Sequence, residues 1–110
     1  MLEIILEKEN EYDILILQGE IDASNSVILD QAIQKLIADG SKSILVDGKD
    51  LHYISSAGLG VFMSYIEDFQ EAGIKFKISS LSPRVSEVFK ILGLDQLIQI
   101  FADKSSALND

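Results

Sequence analysis

Cysteine is absent from these 110 residues, which excludes disulfides and thiolate metal sites and suits a reducing compartment. Histidine occurs once, at His52, so a His-pair metal site and a two-His relay are also excluded. Long apolar runs are missing: none approaches the roughly 18 residues of a membrane span. The opening Met1-Leu2-Glu3 alternates with acids and lacks the basic start and unbroken apolar stretch of a secretory signal. Positive charge is scarce. With 9 basic against 18 acidic residues the formal net charge is −9, which repels a nucleic-acid backbone and an anionic membrane alike. The expectation is a cytoplasmic protein that uses no metal and no cofactor and binds neither nucleic acid nor membrane.

What is present is apolar material for one compact core. The 47% hydrophobic content over 110 residues predicts a single domain, residues 1–110. Leu2 to Glu7 and Tyr12 to Leu17 read as two strands of a hairpin across the polar stretch Lys8-Glu9-Asn10-Glu11, with Gly19 closing the second. From Asn25 the period changes: Leu29, Ala32, Ile33 and Leu36 form one stripe of a helix that starts under a Ser24 or Ser26 cap and stops near Asp39-Gly40. Ser43 to Asp47 carries Ile44-Leu45-Val46, a strand buried on both faces. A second helix starts near Ser56, with Leu59, Phe62, Met63, Ile66 and Phe69 as its core stripe and Gly73 as its end. Ile74, Phe76 and Ile78 alternate with Lys75, Lys77 and Ser79, as in a strand with one face buried. Ser82 caps a third helix with Pro83 at its first position; Val85, Val88, Phe89 and Leu92 make its apolar face and Gly93 ends it. Leu97 to Phe101 reads as a fifth short strand or an irregular edge, and the tail after Asp103 as one turn of helix. This order predicts an α/β fold with a mixed β-sheet of four to five strands and three to four helices, the later strands parallel.

The segment Asp47 to Val61 joins a buried strand to a helix through small residues, and open α/β sheets place sites at such strand ends. Gly58 and Gly60 each cost roughly 1 kcal/mol relative to alanine inside the first helical turns. Close approach of a partner would explain them, and so would tight packing of the helix on the sheet. Of the adjacent Ser55 and Ser56 only one can cap the helix, leaving the other hydroxyl for another role or for solvent. A phosphate there would sit beside unpaired N–H groups at the positive helix end and place about −1.5 to −2 charges on any surface docked against it.

The run Ile54-Ser55-Ser56-Ala57-Gly58-Leu59-Gly60-Val61 resembles the signature of the STAS domain family, specifically the bacterial anti-sigma factor antagonists. Leu17-Gln18-Gly19-Glu20-Ile21-Asp22 resembles that family's turn before the first helix, and Ser82-Pro83-Arg84-Val85 with Leu92-Gly93-Leu94 its third helix and exit. The resemblance spans nearly the whole chain and implies a STAS-like mixed sheet. It implies a partner-switching role without catalysis: the unphosphorylated protein binds a GHKL-type serine kinase that is also an anti-sigma factor, phosphorylation abolishes binding, and a PP2C-like phosphatase resets the cycle. The family position of the phosphorylated residue falls on Ser56, with Ser55 as second choice. The partner-binding face implied is Asp22, Ser55, Ser56, Ala57, Gly58, Leu59 and Gly60. Two positions depart from the family's usual pattern, Ser55 standing where an acid precedes the acceptor and Ala57 where a second hydroxyl follows it.

Other readings stay open at this point. Asp22 fits an Asx turn or a helix-entry cap as well as a binding face. Asp50 reads as a solvated turn residue, and His52 as a loop or packing residue. A STAS module that is never phosphorylated and serves as a scaffold, or as a sensor of a small ligand or nucleotide, is the alternative function. The Gly58-Leu59-Gly60 turn is neither a P-loop nor a dinucleotide fingerprint. A serine hydrolase finds no Gly-x-Ser-x-Gly pattern and no placed base.

Overall fold

The computed structural model describes residues 1–110. Its strands are β1 (Leu2–Glu9), β2 (Tyr12–Ile21), β3 (Ser43–Ile54), β4 (Lys75–Ser79) and β5 (Gln99–Phe101). The helices are α1 (Ser26–Ala38), α2 (Ser56–Ala72), α3 (Pro83–Ile91) and α4 (Lys104–Leu108), with a 3-10 turn at Leu94–Gln96 that the sequence pattern had not suggested. The five strands form one sheet in the order β1-β2-β3-β4-β5. Only β1 runs antiparallel to its neighbour, and the other pairs are parallel, so the expected mixed sheet is found.

The β1–β2 connection is tighter than the four-residue stretch proposed for it. Glu9 pairs with Tyr12, so Asn10 and Glu11 alone make the turn, at φ 51° and 69°. Positive φ at both central residues is the hairpin turn whose twist matches the strands. Asparagine accepts that conformation, whereas Glu11 carries a Cβ penalty there. Gly19 does not close β2. It lies inside the strand at φ 108°, where a Cβ would come within 2.0 Å of the Met1 carbonyl oxygen, and β2 continues to Ile21.

The larger departure is β3, which runs on from Asp47 to Ile54 through residues whose Gly48, Asp50 and His52 read as a loop. Register shifts between Ile16 and Gln18 and between Gly19 and Glu20 let β3 stay paired with β2 up to Ile21 and Ile54, as bulges do. Because β4 ends opposite Asp47, at Ser79, the ends of β2 and β3 project beyond the rest of the parallel sheet.

One sheet face is packed by α1, α2 and α3 around a core that includes Leu15, Leu17, Leu29, Ile33, Val46, Phe62, Ile78 and Phe89. Each such burial contributes about 1.5–3 kcal/mol relative to exposure. Helix limits agree with their local signals: Gly73 stands at φ 71° after α2, and the Ser82 side chain accepts from the Val85 amide with Pro83 next in line. Met63 and Leu92, assigned to core stripes, are instead 52% exposed. Met63 lies on the solvent-facing arc of α2, and Leu92 is the C-cap residue beyond the last residue of α3. The α1 cap also differs, because Asn25 occupies it rather than Ser24 or Ser26 and makes no side-chain cap bond.

On the opposite face Lys77 and Ser79 were expected in solvent but are buried, Lys77 at 3% exposure. The reason is α4, which folds back over Tyr12, Ile14 and Leu45. Lys77 Nζ donates to the Ala107 carbonyl at 2.9 Å and lies 5.1 Å from the ring centroids of both Tyr12 and Phe101, so hydrogen bonding and cation–π attraction offset its desolvation. No helix is long and apolar enough to cross a membrane.

Two measurements follow from these elements. Glu11→Gly removes the positive-φ penalty and should raise unfolding free energy by about 0.5–1 kcal/mol in urea titration, the gain being trimmed by glycine's chain entropy. Tyr65, whose hydroxyl donates from α2 to Asp30 on α1, has its pKa pushed up to about 12, first by burial and then by that bond. A raised folded-state pKa contributes stability that is present below pH 10 and lost as pH climbs toward 12. Tyr65→Phe should flatten that alkaline loss in a pH series of thermal melts.

Candidate functional site

Parallel pairing of β2 and β3 brings the starts of α1 and α2 to the same end of the sheet, since each helix follows its strand. The two strand-to-helix junctions are stitched together: the Ser55 amide donates to the Ile21 carbonyl at 2.8 Å. Around Asp22 the chain turns on its own side chains. The Asp22 carboxylate accepts from the Ser24 hydroxyl at 2.6 Å and the Ser24 amide at 2.9 Å; the hydroxyl bond first, and the amide next, hold this carboxyl below the usual carboxylate value. Asn25 explains its failure to cap, for its Oδ1 accepts from the Asp22 amide and its Nδ2 donates to the Glu20 carbonyl. Asp22 is therefore an Asx-turn residue at the rim of the site.

The serine pair divides its roles. Ser55 is the N-cap of α2 in extended conformation, with its Oγ accepting from the Gly58 amide at 3.4 Å. Ser56 is the first helical residue, exposed, and its hydroxyl makes no hydrogen bond to the protein. The amides of Ser56 and Ala57 have no acceptor within the fold, so Ser56 presents a free hydroxyl beside two free N–H groups at the positive end of a 17-residue helix.

The two glycines, for which the sequence left two explanations, separate as well. A Cβ on Gly58 would lie 2.5 Å from Ile21 Cγ2 and 2.8 Å from Ile54 Cγ1, whereas one on Gly60 would meet nothing within 4 Å. Packing thus accounts for Gly58 and not for Gly60. Leu59 is buried under the helix and Ala57 half-buried, so the residues of this run presented outward are Ser56 and Gly60. One turn further, Met63 continues the same exposed face, and Tyr53 is 51% exposed just before the loop. Val27 and Ile28 at the start of α1 are exposed too. Sequence reasoning missed these apolar side chains, which periodicity alone assigns to a core or leaves unassigned. Asp50 lies within β3, paired with Gln18, and His52 is exposed on the projecting end of that strand.

A match to the STAS domain model extends over residues 3–107. The chain belongs to the STAS domain family. Within the family it is similar to the anti-sigma-B factor antagonist of Bacillus subtilis (strain 168), 34% identical over 96 residues that cover 86% of this chain and 87% of that protein. The anti-sigma-B factor antagonist of Staphylococcus aureus is 27% identical over 82 residues, 74% of this chain and 76% of its own length. Among solved structures, an anti-sigma factor antagonist from Mycobacterium paratuberculosis superposes with a TM-score of 0.91 at 21% identity, covering 99% of this chain and 92% of that one. The anti-sigma factor antagonist SpoIIAA in its unphosphorylated form gives 0.81 at 22% identity over 97% and 94% of the two chains. These structural likenesses carry the STAS fold, five strands and four helices, to this chain.

The contrast between the glycines of this STAS chain is measurable. Gly58→Ala should destabilise by about 1–2 kcal/mol, overpacking against Ile21 and Ile54 exceeding the helical gain. Gly60→Ala should stabilise by about 1 kcal/mol. Equal signs in chemical denaturation would contradict the geometry.

Proposed function

We propose that the chain is an anti-sigma factor antagonist that works by partner switching: it binds a GHKL-type serine kinase acting as anti-sigma factor while Ser56 is unmodified, and is released once Ser56 is phosphorylated. The observation that carries the reading is the division of labour in the serine pair. Ser55 is engaged as the helix cap, which leaves Ser56 as the free, exposed hydroxyl on a helix face continued by Gly60 and Met63, with the exposed Tyr53 three residues before it in the chain. Exposed apolar side chains around a polar centre are what a protein partner covers.

Transfer of the γ-phosphoryl group of ATP to Ser56 Oγ forms the new P–O bond, releases ADP, and passes the hydroxyl proton to a base of the kinase. The product carries about −1.5 to −2 extra charges. At the first turn of α2 the free amides of Ser56 and Ala57 stabilise that charge, so modification leaves the fold intact. The cost falls on the complex, where the phosphate is desolvated in the middle of the covered face. A PP2C-like phosphatase restores the hydroxyl by hydrolysis. In this cycle the protein is ligand and substrate, and the kinase and phosphatase supply the catalysis.

Intact-mass analysis after incubation with the kinase and ATP tests the assignment. Wild type and Ser55→Ala should each gain one phosphate, with Ser55→Ala about 1 kcal/mol less stable through loss of its cap. Ser56→Ala should bind the kinase and gain none, and Ser56→Asp should bind at least about tenfold more weakly. A phosphate gained by Ser56→Ala and lost in Ser55→Ala would move the switch to Ser55.

A further inference from the structure

Beside the Ser56 face, a cavity of about 380 Å³ opens between the projecting end of β2 and β3 and the start of α3. Its apolar walls include Tyr53, Val85 and Val88, and its polar groups are Glu20, His52 and Arg84. It adjoins the switch on both strands, because Glu20 stands two residues before Asp22 and His52 three before Ser55.

Arg84 is the only arginine of the chain, in a protein with 18 acidic residues. It takes part in none of the fold's four ion pairs, which are made by Lys8, Lys35, Lys77 and Lys104. It also sits in the first turn of α3, which holds no acidic residue. A cation there opposes the helix dipole, where a carboxylate would be favoured. An exposed guanidinium that is unpaired within the fold and unfavourably placed for its own helix is available for an incoming anion, and its planar fork suits a carboxylate. His52 adds a hydrogen-bonding group on the facing strand, while Glu20 is the one acid of the cavity.

We infer that this cavity receives an acidic side chain of the docked partner, seated beside an apolar one, with Arg84 as its charge contact and Tyr53, Val85 and Val88 as the apolar lining. The inference rests on the partner-switching reading, since it names the chemistry by which the kinase is held next to Ser56. Arg84 acts in binding and not in the phosphoryl transfer itself.

Calorimetric titration of the serine-kinase anti-sigma factor from the same organism against the full chain tests it, with Lys90→Glu, six residues along α3 and outside this cavity, as control. Arg84→Ala should weaken binding by about tenfold and Arg84→Glu by about a hundredfold, whereas Glu20→Gln should tighten it by about threefold because a competing carboxylate is removed. In phosphorylation kinetics Arg84→Ala should raise KM and leave kcat unchanged. Arg84→Glu should at the same time raise the melting temperature of the free protein, since it places an acid at the α3 start; loss of binding through misfolding would lower it. Arg84→Glu binding like wild type, or Glu20→Gln weakening the complex, would overturn the inference while leaving the Ser56 switch standing. A wild-type dimer that Arg84→Glu abolishes in sedimentation would assign the cavity to a second copy and overturn it as well. Failure of the wild type to bind the kinase would remove the partner-switching reading, and this inference with it.

Discussion

The contact between α2 and the ends of β2 and β3 governs the rest of the site. Gly58 lies against Ile21 and Ile54 with no room for a Cβ, and the Ser55 amide is fixed to the Ile21 carbonyl. These two constraints set where α2 begins and which way its first turn faces. They leave Ser55 pointing along the helix as its cap and Ser56 pointing away from the protein. A larger residue at position 58 would lift the helix from the sheet and shift both serines together. The site's geometry is thus mainly a packing result, held by buried aliphatic side chains, and apart from that one amide bond between strand ends its polar bonds are local.

Much of this was legible from the residues because the informative signals are local. Turn glycines at 73 and 93, the Ser82-Pro83 start and the helical stripes of Leu29, Ile33, Phe62 and Phe89 act within a few positions of one another, and the helices begin and end where those signals stand. What resisted reading depends on residues distant in sequence. The extension of β3 through Gly48, Asp50 and His52 exists because β2 supplies a partner across two register shifts. Lys77 is buried because α4, some thirty residues later, folds over it, and strand alternation cannot foresee a lid contributed by the tail. The same holds for Met63, whose exposure reflects how α2 is rotated on the sheet.

At the site itself the positions were legible and their roles were not. The serine pair, the glycines and Asp22 were marked by spacing and by resemblance, but only coordinates separate a cap from a free hydroxyl. The same is true of a packing glycine and an open one. Asp22 turns out to shape its own loop through Ser24. The side chains that make the surface apolar, Tyr53 and Met63, carried no sequence signal for exposure, since their residue types belong by default to a core.

The parallel pairing of β2 with β3 has a consequence for when the Ser56 face comes into existence. Partners such as Ile21 and Ile54 are separated by more than thirty residues and by the whole of α1, so their contact waits on closure of a long loop, whereas the β1–β2 hairpin needs only neighbours. Ser56 is also made before α3 and β5, which follow it in the chain. A kinase that recognises a helix start held against two strand ends finds no such shape in a nascent or misfolded chain. On the proposed reading, modification would be confined to molecules in which α2 has docked on those strand ends, so that the phosphate would mark folded rather than total polypeptide.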